Sequence, residues 1–93
     1  MSEGDLFINE YSNVFKALSH PTRLSIVYEL IGHEDGLNVS TLQDSLGVSQ
    51  SSVSQHLRIL KQYDILKSKR RGTEIKYILN NKKVIDILKL IKE

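Results

Sequence analysis

Apolar residues recur at helical spacing in the first third of the chain and predict two helices. The first helix is expected from Asp5 to Leu18, where apolar side chains fall on one face. That face consists of Phe7, Tyr11, Val14, Phe15 and Leu18. Because proline suits the first turn of a helix, a second helix is expected from Pro21 to about Ile31.

Residues 40–60 predict two short helices joined by a tight turn. Ser40 is expected to cap the first of them, with Gln43 completing a capping box, and Gly47 is expected to end it. Ser49 is expected to cap the second. The second helix has an apolar stripe of Val53, Leu57 and Leu60 and an outer face of Gln50, Ser51, Ser52, Ser54, Gln55 and Arg58. This arrangement is typical of a helix-turn-helix that reads the DNA major groove at about residues 40–62.

The periodicity after Ile65 changes to that of strands. Leu66, Ser68 and Arg70 alternate along one segment, and Ile75, Tyr77 and Leu79 along the next. The turn between them is expected at Arg71-Gly72-Thr73, because Gly72 tolerates a positive φ. The pattern predicts a β-hairpin with a basic tip at about residues 66–79, and we call this hairpin the wing.

A last helix is expected after Asn80 or Asn81, either of which suits a cap. Its apolar stripe consists of Val84, Ile87, Leu88 and Ile91. The predicted fold class is therefore mainly α with a small β-hairpin, a winged helix-turn-helix of order α-α-α-α-β-β-α. We expect residues 1–93 to form one domain.

A second copy of the chain is expected to cover the apolar faces of the first and last helices. A chain of 93 residues buries a modest fraction of its surface alone, and both terminal helices carry broad apolar faces. The expected dimer interface consists of Phe7, Tyr11, Phe15, Val84, Ile87, Leu88 and Ile91. The sequence thus predicts a homodimer.

Charge is distributed unevenly along the chain. The net charge is +2, yet residues 1–50 hold seven acidic and two basic side chains, whereas residues 51–93 hold eleven basic and four acidic ones. A basic half that follows a polar recognition helix is expected of a polyanion-binding protein. The alternative for a basic run taken alone is a solvated surface.

Composition excludes several classes of protein. The absence of cysteine excludes disulfides, thiol redox sensing and thiolate metal sites. We expect a cytoplasmic protein, since the sequence shows neither a signal-peptide pattern nor a long apolar segment. No nucleophile motif, glycine-rich phosphate loop or carboxylate pair with a histidine is found, so we expect a protein that is not an enzyme.

The predicted DNA contacts form two groups. Those on the recognition helix are Gln50, Ser51, Ser52, Ser54, Gln55, His56 and Arg58, and those on the wing are Lys69, Arg70, Arg71 and Thr73. Glutamine can form two hydrogen bonds to adenine and serine can contact bases or backbone, whereas arginine suits phosphates and narrow minor grooves. His56 is expected to have a supporting role with some phosphate contact. The alternative is that both groups are ordinary solvated surface.

Two long segments resemble the ArsR/SmtB family of winged-helix repressors. They are FKALSHPTRLSIVYEL, from Phe15 to Leu30, and LGVSQSSVSQHLRILKQYDILKSKRRGTEIKYIL, from Leu46 to Leu79. The resemblance implies a homodimer that binds double-stranded DNA at a promoter inverted repeat and blocks transcription. An effector, if one acts, is expected to be an unidentified protein or small molecule.

The chain departs from the metal-sensing members of that family. Where such members carry a CVCDL box, it has Asn38 to Leu42, and where others place an aspartate and a histidine in the last helix, it has Asn81 and Lys83. Amides and hydroxyls bind soft or borderline metals poorly, and a lysine repels cations. The resemblance is therefore to the metal-blind, PagR-like members, and neither a metal nor another cofactor is expected.

Two other functions stay open on the sequence alone. The chain could be a protein-interaction module that modulates another regulator while binding DNA weakly, or a metal sensor with an unfamiliar site. His33, Glu34 and Asp35 are close enough in sequence to suggest a cation site. Adjacent residues rarely converge on one ion, so a solvated loop is the favoured interpretation.

Overall fold

The computed structural model describes residues 2–93 and has the predicted order of elements. They are α1 (Glu3–Leu18), α2 (Pro21–Ile31), α3 (Val39–Leu46), α4 (Gln50–Gln62), β1 (Leu66–Arg71), β2 (Glu74–Leu79) and α5 (Lys82–Lys92). The predicted fold class, mainly helical with one antiparallel hairpin, is confirmed. Within the described residues, no helix is long and apolar enough to cross a membrane.

Most of the helix ends follow the expected capping chemistry. The first helix begins two residues before the predicted start, because Ser2 and Asp5 form a reciprocal capping box. Ser49 caps α4 and Asn81 caps α5, as expected. Gly47 ends α3 with φ of 67°, a left-handed conformation in which a glycine has no Cβ penalty.

The prediction that Ser40 caps α3 is wrong. The cap is Asn38, whose Oδ1 accepts a hydrogen bond of 2.8 Å from the backbone N–H of Thr41. The preceding residue, Leu37, pairs with Tyr77 of β2 through two backbone hydrogen bonds of 3.1 and 2.8 Å. Because this pairing fixes the end of the extended segment at Leu37, the helix starts directly after Asn38 and Ser40 lies inside its first turn.

The recognition helix is α4, the second helix of the helix-turn-helix, and it packs against the centre of the core. Its stripe of Val53, Leu57 and Leu60 is fully buried. The stripe belongs to one apolar cluster that includes Ile26 of α2 and Leu42 of α3. Burying side chains of this size stabilises the fold by about 1.5–3 kcal/mol each, so α4 is held firmly by its inner face.

The wing is attached to the core at its base. Leu66 pairs with Leu79 at the base and Arg71 with Glu74 at the tip, where Gly72 adopts φ of 63°. Leu66 is 1% exposed, whereas the tip residues are exposed. The bridge between Leu37 and Tyr77 adds a third short segment beside β2, which the sequence did not predict.

The residues predicted to form the dimer interface separate into two groups. Tyr11, Val84 and Leu88 are buried within the protomer, because the inner faces of α1 and α5 join the core cluster. Phe7 and Phe15 are more than half exposed, Ile91 is 73% exposed and Ile87 is partly buried. Phe7, Phe15 and Ile87 line a shared groove between α1 and α5.

Candidate nucleic-acid interface

The outer face of α4 is polar and exposed. Five of the predicted contacts are exposed there, namely Gln50, Ser51, Ser54, Gln55 and Arg58, and the last four of them line a shallow groove. Ser51, Ser54, Gln55 and Arg58 lie on the side of the helix away from the buried stripe, so the packing that fixes the helix also fixes the direction in which these side chains point, and Gln50 is exposed as the first residue of the helix. A rigid helix with this face can present hydrogen-bonding groups to base edges.

The first turn of α4 uses some of its serines for its own structure. The Oγ of Ser49 accepts a hydrogen bond of 3.2 Å from the backbone N–H of Ser52 and lies 3.3 Å from the Oγ of Ser51. Ser52 is partly buried on the flank of the helix. Of the predicted contacts, Ser51 is thus exposed but hydrogen-bonded locally, and Ser52 faces away from the outer surface.

His56 lies at the junction between α4 and the start of α2. Its ring packs on the ring of His20 with centroids 4.5 Å apart, and its Nδ1 is buried without a hydrogen-bond partner. Burial lowers the pKa of His56, and the nearby charges of His20 and Arg23 lower it further. The neutral form is therefore favoured, and the histidine contributes packing on the side of the outer face.

The tip of the wing presents four basic or polar residues to solvent. Lys69, Arg70, Arg71 and Thr73, all predicted contacts, are exposed. The Nε of Arg70 donates a hydrogen bond of 3.2 Å to the carbonyl of Gly72, which holds its guanidinium beside the turn. Successive side chains of a β-strand point to opposite faces, so the side chains of Arg70 and Arg71 at the end of β1 diverge.

The basic side chains of this surface keep their positive charge available. Among residues 2–93 the one ion pair joins Lys82 and Asp86 of α5, at 3.1 Å. Lys61 instead donates a hydrogen bond of 2.9 Å from Nζ to the Oγ of Ser68, which connects the end of α4 to the base of the wing. The surface formed by the outer face of α4 and the wing tip can therefore attract phosphate groups.

Two residues of this region make contacts that the sequence did not predict. Asn38 caps α3 and also donates a hydrogen bond of 3.2 Å from Nδ2 to Oε2 of Glu74 in the wing. His20 accepts a hydrogen bond at Nδ1 from the backbone N–H of Thr22 and supports His56. Asparagine is as good a cap as serine, so the cap of α3 was ambiguous in sequence, but the partner 36 residues away had no local signal.

The residues at the candidate metal positions make other contacts. The Oδ1 of Asn81 accepts hydrogen bonds from the backbone N–H groups of Lys83 and Val84 at 3.0 and 3.2 Å. The ring Nδ1 of His33 lies 2.9 Å from the carbonyl of Glu29. In the part of the chain that the structure describes, no group of three or more histidine, cysteine, aspartate or glutamate side chains could hold a metal ion.

Comparison with known sequences shows that the chain is similar to bacterial repressors. A family model described as a helix-turn-helix domain matches residues 18–69. The chain is 42% identical over 84 residues to the transcriptional repressor PagR of Bacillus anthracis, an alignment that covers 90% of this chain and 83% of PagR. It is 39% identical over 69 residues to the transcriptional repressor SdpR of Bacillus subtilis, which covers 74% of each protein.

Solved structures have the same fold. The crystal structure of PagR matches with a TM-score of 0.85 at 41% identity, covering 92% of this chain and 97% of that chain. The solution NMR structure of the homodimeric winged helix-turn-helix DNA-binding domain of Mb0332 from Mycobacterium bovis matches with a TM-score of 0.87 at 22% identity. It covers 99% of this chain and 84% of that chain, and at this identity the likeness is one of fold.

Proposed function

Since the chain belongs to the ArsR/SmtB family of winged helix-turn-helix transcriptional repressors, we propose that it acts as a homodimer on an inverted-repeat operator. Like the family, it is a DNA-binding regulator and not an enzyme. In this proposal the two copies of α4 enter successive major grooves, about 10 base pairs apart, and each wing contacts the flanking DNA. Occupancy of a promoter would exclude RNA polymerase.

The observation that carries the proposal is the contrast between the two faces of α4. The inner face is fully buried through Val53, Leu57 and Leu60, whereas the outer face presents Ser54 and Gln55 to solvent and Gln50 is exposed at the first turn. Uncharged amide and hydroxyl groups discriminate between bases by hydrogen bonding, because each base pair shows a distinct donor and acceptor pattern in the major groove. The basic wing supplies the sequence-independent part of the affinity.

The exposed apolar face of α1 and α5 supports the homodimer. Phe7 is 62% exposed, Phe15 is 52% exposed and Ile91 is 73% exposed, and the first two line the groove next to Ile87. Removing apolar surface from water is favourable by about 25 cal/mol per Å², and in an association this gain is offset in part by the lost freedom of the two chains. A second copy that places the same residues against this groove would cover them, as the two-fold symmetry of an inverted repeat requires.

We further propose that DNA binding does not depend on a metal. The side chains of Asn38 and Asn81, at the two positions where metal-sensing relatives would place ligands, are used to cap α3 and α5. Their amides are poor ligands for borderline metals, and the ammonium group of Lys83 follows the second. The expected result is that a chelator changes neither the affinity for DNA nor the melting temperature, whereas a zinc-dependent rise in melting temperature would contradict it.

Selection of genomic DNA fragments by the purified protein at about 0.15 M salt tests the proposal. The expected result is an enriched inverted repeat, with half-sites about 10 base pairs apart, in fragments that overlap promoters. A variant with Gln50 and Gln55 replaced by alanine serves as the control and should recover fragments without that motif. Recovery of no motif by the wild-type protein would contradict the proposal and would favour a protein-interaction module.

A further inference from the structure

Besides its buried base, the bridge to Leu37 and the hydrogen bond from Lys61 to Ser68, the wing has a contact with the rest of the protein that lies nearer to its tip. Asn38 donates a hydrogen bond of 3.2 Å from Nδ2 to Oε2 of Glu74, the first residue of β2. The same side chain accepts a hydrogen bond of 2.8 Å at Oδ1 from the backbone N–H of Thr41. One amide thus joins the wing to the first helix of the helix-turn-helix.

We propose that Asn38 and Glu74 set the angle of the wing relative to the recognition helix, which makes both of them positioning residues for DNA binding. The inference deepens the proposed function and rests on it for its functional consequence. The contact itself is a feature of the free protein, so it can be tested without DNA.

The contact lies far enough along the wing to restrict movement of the tip. The bridge to Leu37 holds β2 at Tyr77. Glu74, the first residue of β2, lies three residues before Tyr77. At about 3.4 Å per residue, Glu74 lies roughly 10 Å closer to the tip. The hydrogen bond from Asn38 therefore restrains β2 at a residue nearer to the tip than the one held by the backbone pairing with Leu37.

Gly36 explains why Asn38 can reach the wing. Its φ is +90°, and a Cβ at this position would lie 2.6 Å from Cγ2 of Ile78 and 2.8 Å from the carbonyl oxygen of Tyr77. The backbone before Asn38 therefore runs directly against β2, at a separation that excludes other residues. This close approach brings the cap of α3 within hydrogen-bond distance of Glu74.

The contact requires a side chain with an acceptor and a donor at once. An asparagine amide offers its oxygen to the N–H of Thr41 and its nitrogen to the carboxylate of Glu74. Aspartate would cap the helix equally well but has no donor, and it would place a second carboxylate against Glu74. The substitution Asn38→Asp therefore separates the two roles of the residue.

The test measures binding to a random-sequence duplex of about 25 base pairs at low salt, because wing contacts to phosphates are independent of sequence. Asn38→Asp is expected to weaken binding about 3- to 10-fold without lowering the melting temperature, since the cap is kept. Asn81→Asp is the matched control, because it adds the same charge at another helix cap, and it should change binding less than about twofold.

The double variant Asn38→Asp, Glu74→Gln provides the rescue. It has the net charge of the wild type, and the amide of the new glutamine can donate to the new carboxylate. Affinity is expected to return to within about twofold of the wild type. Equal effects of Asn38→Asp and Asn81→Asp, or a failure of the double variant to restore binding, would overturn the positioning role.

Backbone ¹⁵N relaxation in the free protein separates failure of this inference from failure of the proposed function. Asn38→Asp should lower the order parameters of the Thr73 and Glu74 amides relative to those of α3, and Glu74→Ala should do so without touching the α3 cap. Unchanged order in both variants would overturn the inference even if the wild type binds DNA. If the wild type binds no duplex, the proposed function is wrong, and the relaxation data still decide whether the contact holds the wing.

Discussion

The recognition helix and the wing are held by the protein in different ways. The inner face of α4 consists of three side chains without solvent exposure, Val53, Leu57 and Leu60. The wing is buried at its base, through Leu66 and Ile78, and its tip has one hydrogen bond to the helices, from Asn38. In the proposed function, the firmly held helix reads the bases, and the exposed, charged wing contacts the DNA backbone, where geometry is less demanding.

The two elements also differ in charge: the firmly held α4 has few charged side chains on its outer face, and the exposed wing tip has several. The exposed outer face of α4 contains one charged residue, Arg58, among glutamines and serines, whereas Lys69, Arg70 and Arg71 are consecutive at the end of β1. Uncharged groups discriminate between base pairs through hydrogen bonds, and charged groups bind any phosphate. The proposed function therefore places specificity on α4 and most of the affinity on the wing, and substitutions should affect the two quantities separately.

The largest expected effect comes from removing the support of α4. Leu57→Ala deletes a fully buried side chain and should lower the free energy of unfolding by about 2–5 kcal/mol. Leu24→Ala, at a side chain that is 49% exposed on α2, is the control and should cost less than about 1 kcal/mol. Urea unfolding at one protein concentration measures both, and similar losses would show that burial of its inner face is not what holds α4 in place.

The next largest effect is expected from the wing arginines. Replacing Arg70 and Arg71 by alanine should weaken binding to specific and random DNA alike, and should reduce the slope of log affinity against log salt by about two units. Stability should not change, because both side chains are exposed. Replacing Lys16 and Lys89 by alanine removes the same charge from α1 and α5, and an equal change in slope there would show that net charge, not the wing, is responsible.

A smaller and more selective effect is expected from Gln55. Gln55→Ala should reduce discrimination between the operator and mismatched sites by about 1–3 kcal/mol if the amide contacts an adenine with two hydrogen bonds. Gln62→Ala is the matched control, because Gln62 is exposed at the other end of the same helix. Competition binding against single-base variants measures the discrimination, and equal weakening on all sequences would remove Gln55 from the reading face.

The smallest effect concerns His56, on the flank of α4. Burial beside His20 and Arg23 lowers its pKa below 6.5, so the unfolded chain takes up a proton first as the pH falls. This group therefore adds no pH dependence well above pH 6.5 and lowers stability as the pH falls through that value. Wild type and His56→Gln should diverge between about pH 7.5 and 5 in urea unfolding, and parallel curves would contradict the assigned environment.

Local signals in the sequence were sufficient to predict most of the fold. The stripe of Val53, Leu57 and Leu60, the caps at Ser49 and Asn81 and the turn at Gly72 depend on neighbouring residues, and all of them match the structure. The outer face of α4 could be predicted for the same reason, because a helix with a known buried side has a known exposed side.

Contacts between distant segments could not be predicted in the same way. Ser40 and Asn38 are both suitable caps, and the choice between them depends on the pairing of Leu37 with Tyr77, forty residues along the chain. A supporting role was expected for His56, but its partner His20, 36 residues earlier in the chain, could not be identified from the sequence. Such contacts arise from tertiary structure, and single-sequence patterns contain no signal for them.

The central claim is that α4 provides the sequence specificity and the wing provides contacts to phosphates. The most direct test is the salt dependence of the ratio between the affinity for the operator and the affinity for random DNA. Affinities of the wild-type protein for its selected operator and for a random duplex of the same length are measured between about 0.05 and 0.3 M salt. If uncharged side chains of α4 read the sequence and the wing contacts phosphates, both affinities should fall steeply in parallel and their ratio should stay nearly constant. A ratio that collapses as salt rises would show that charged contacts carry the specificity, and would contradict this account.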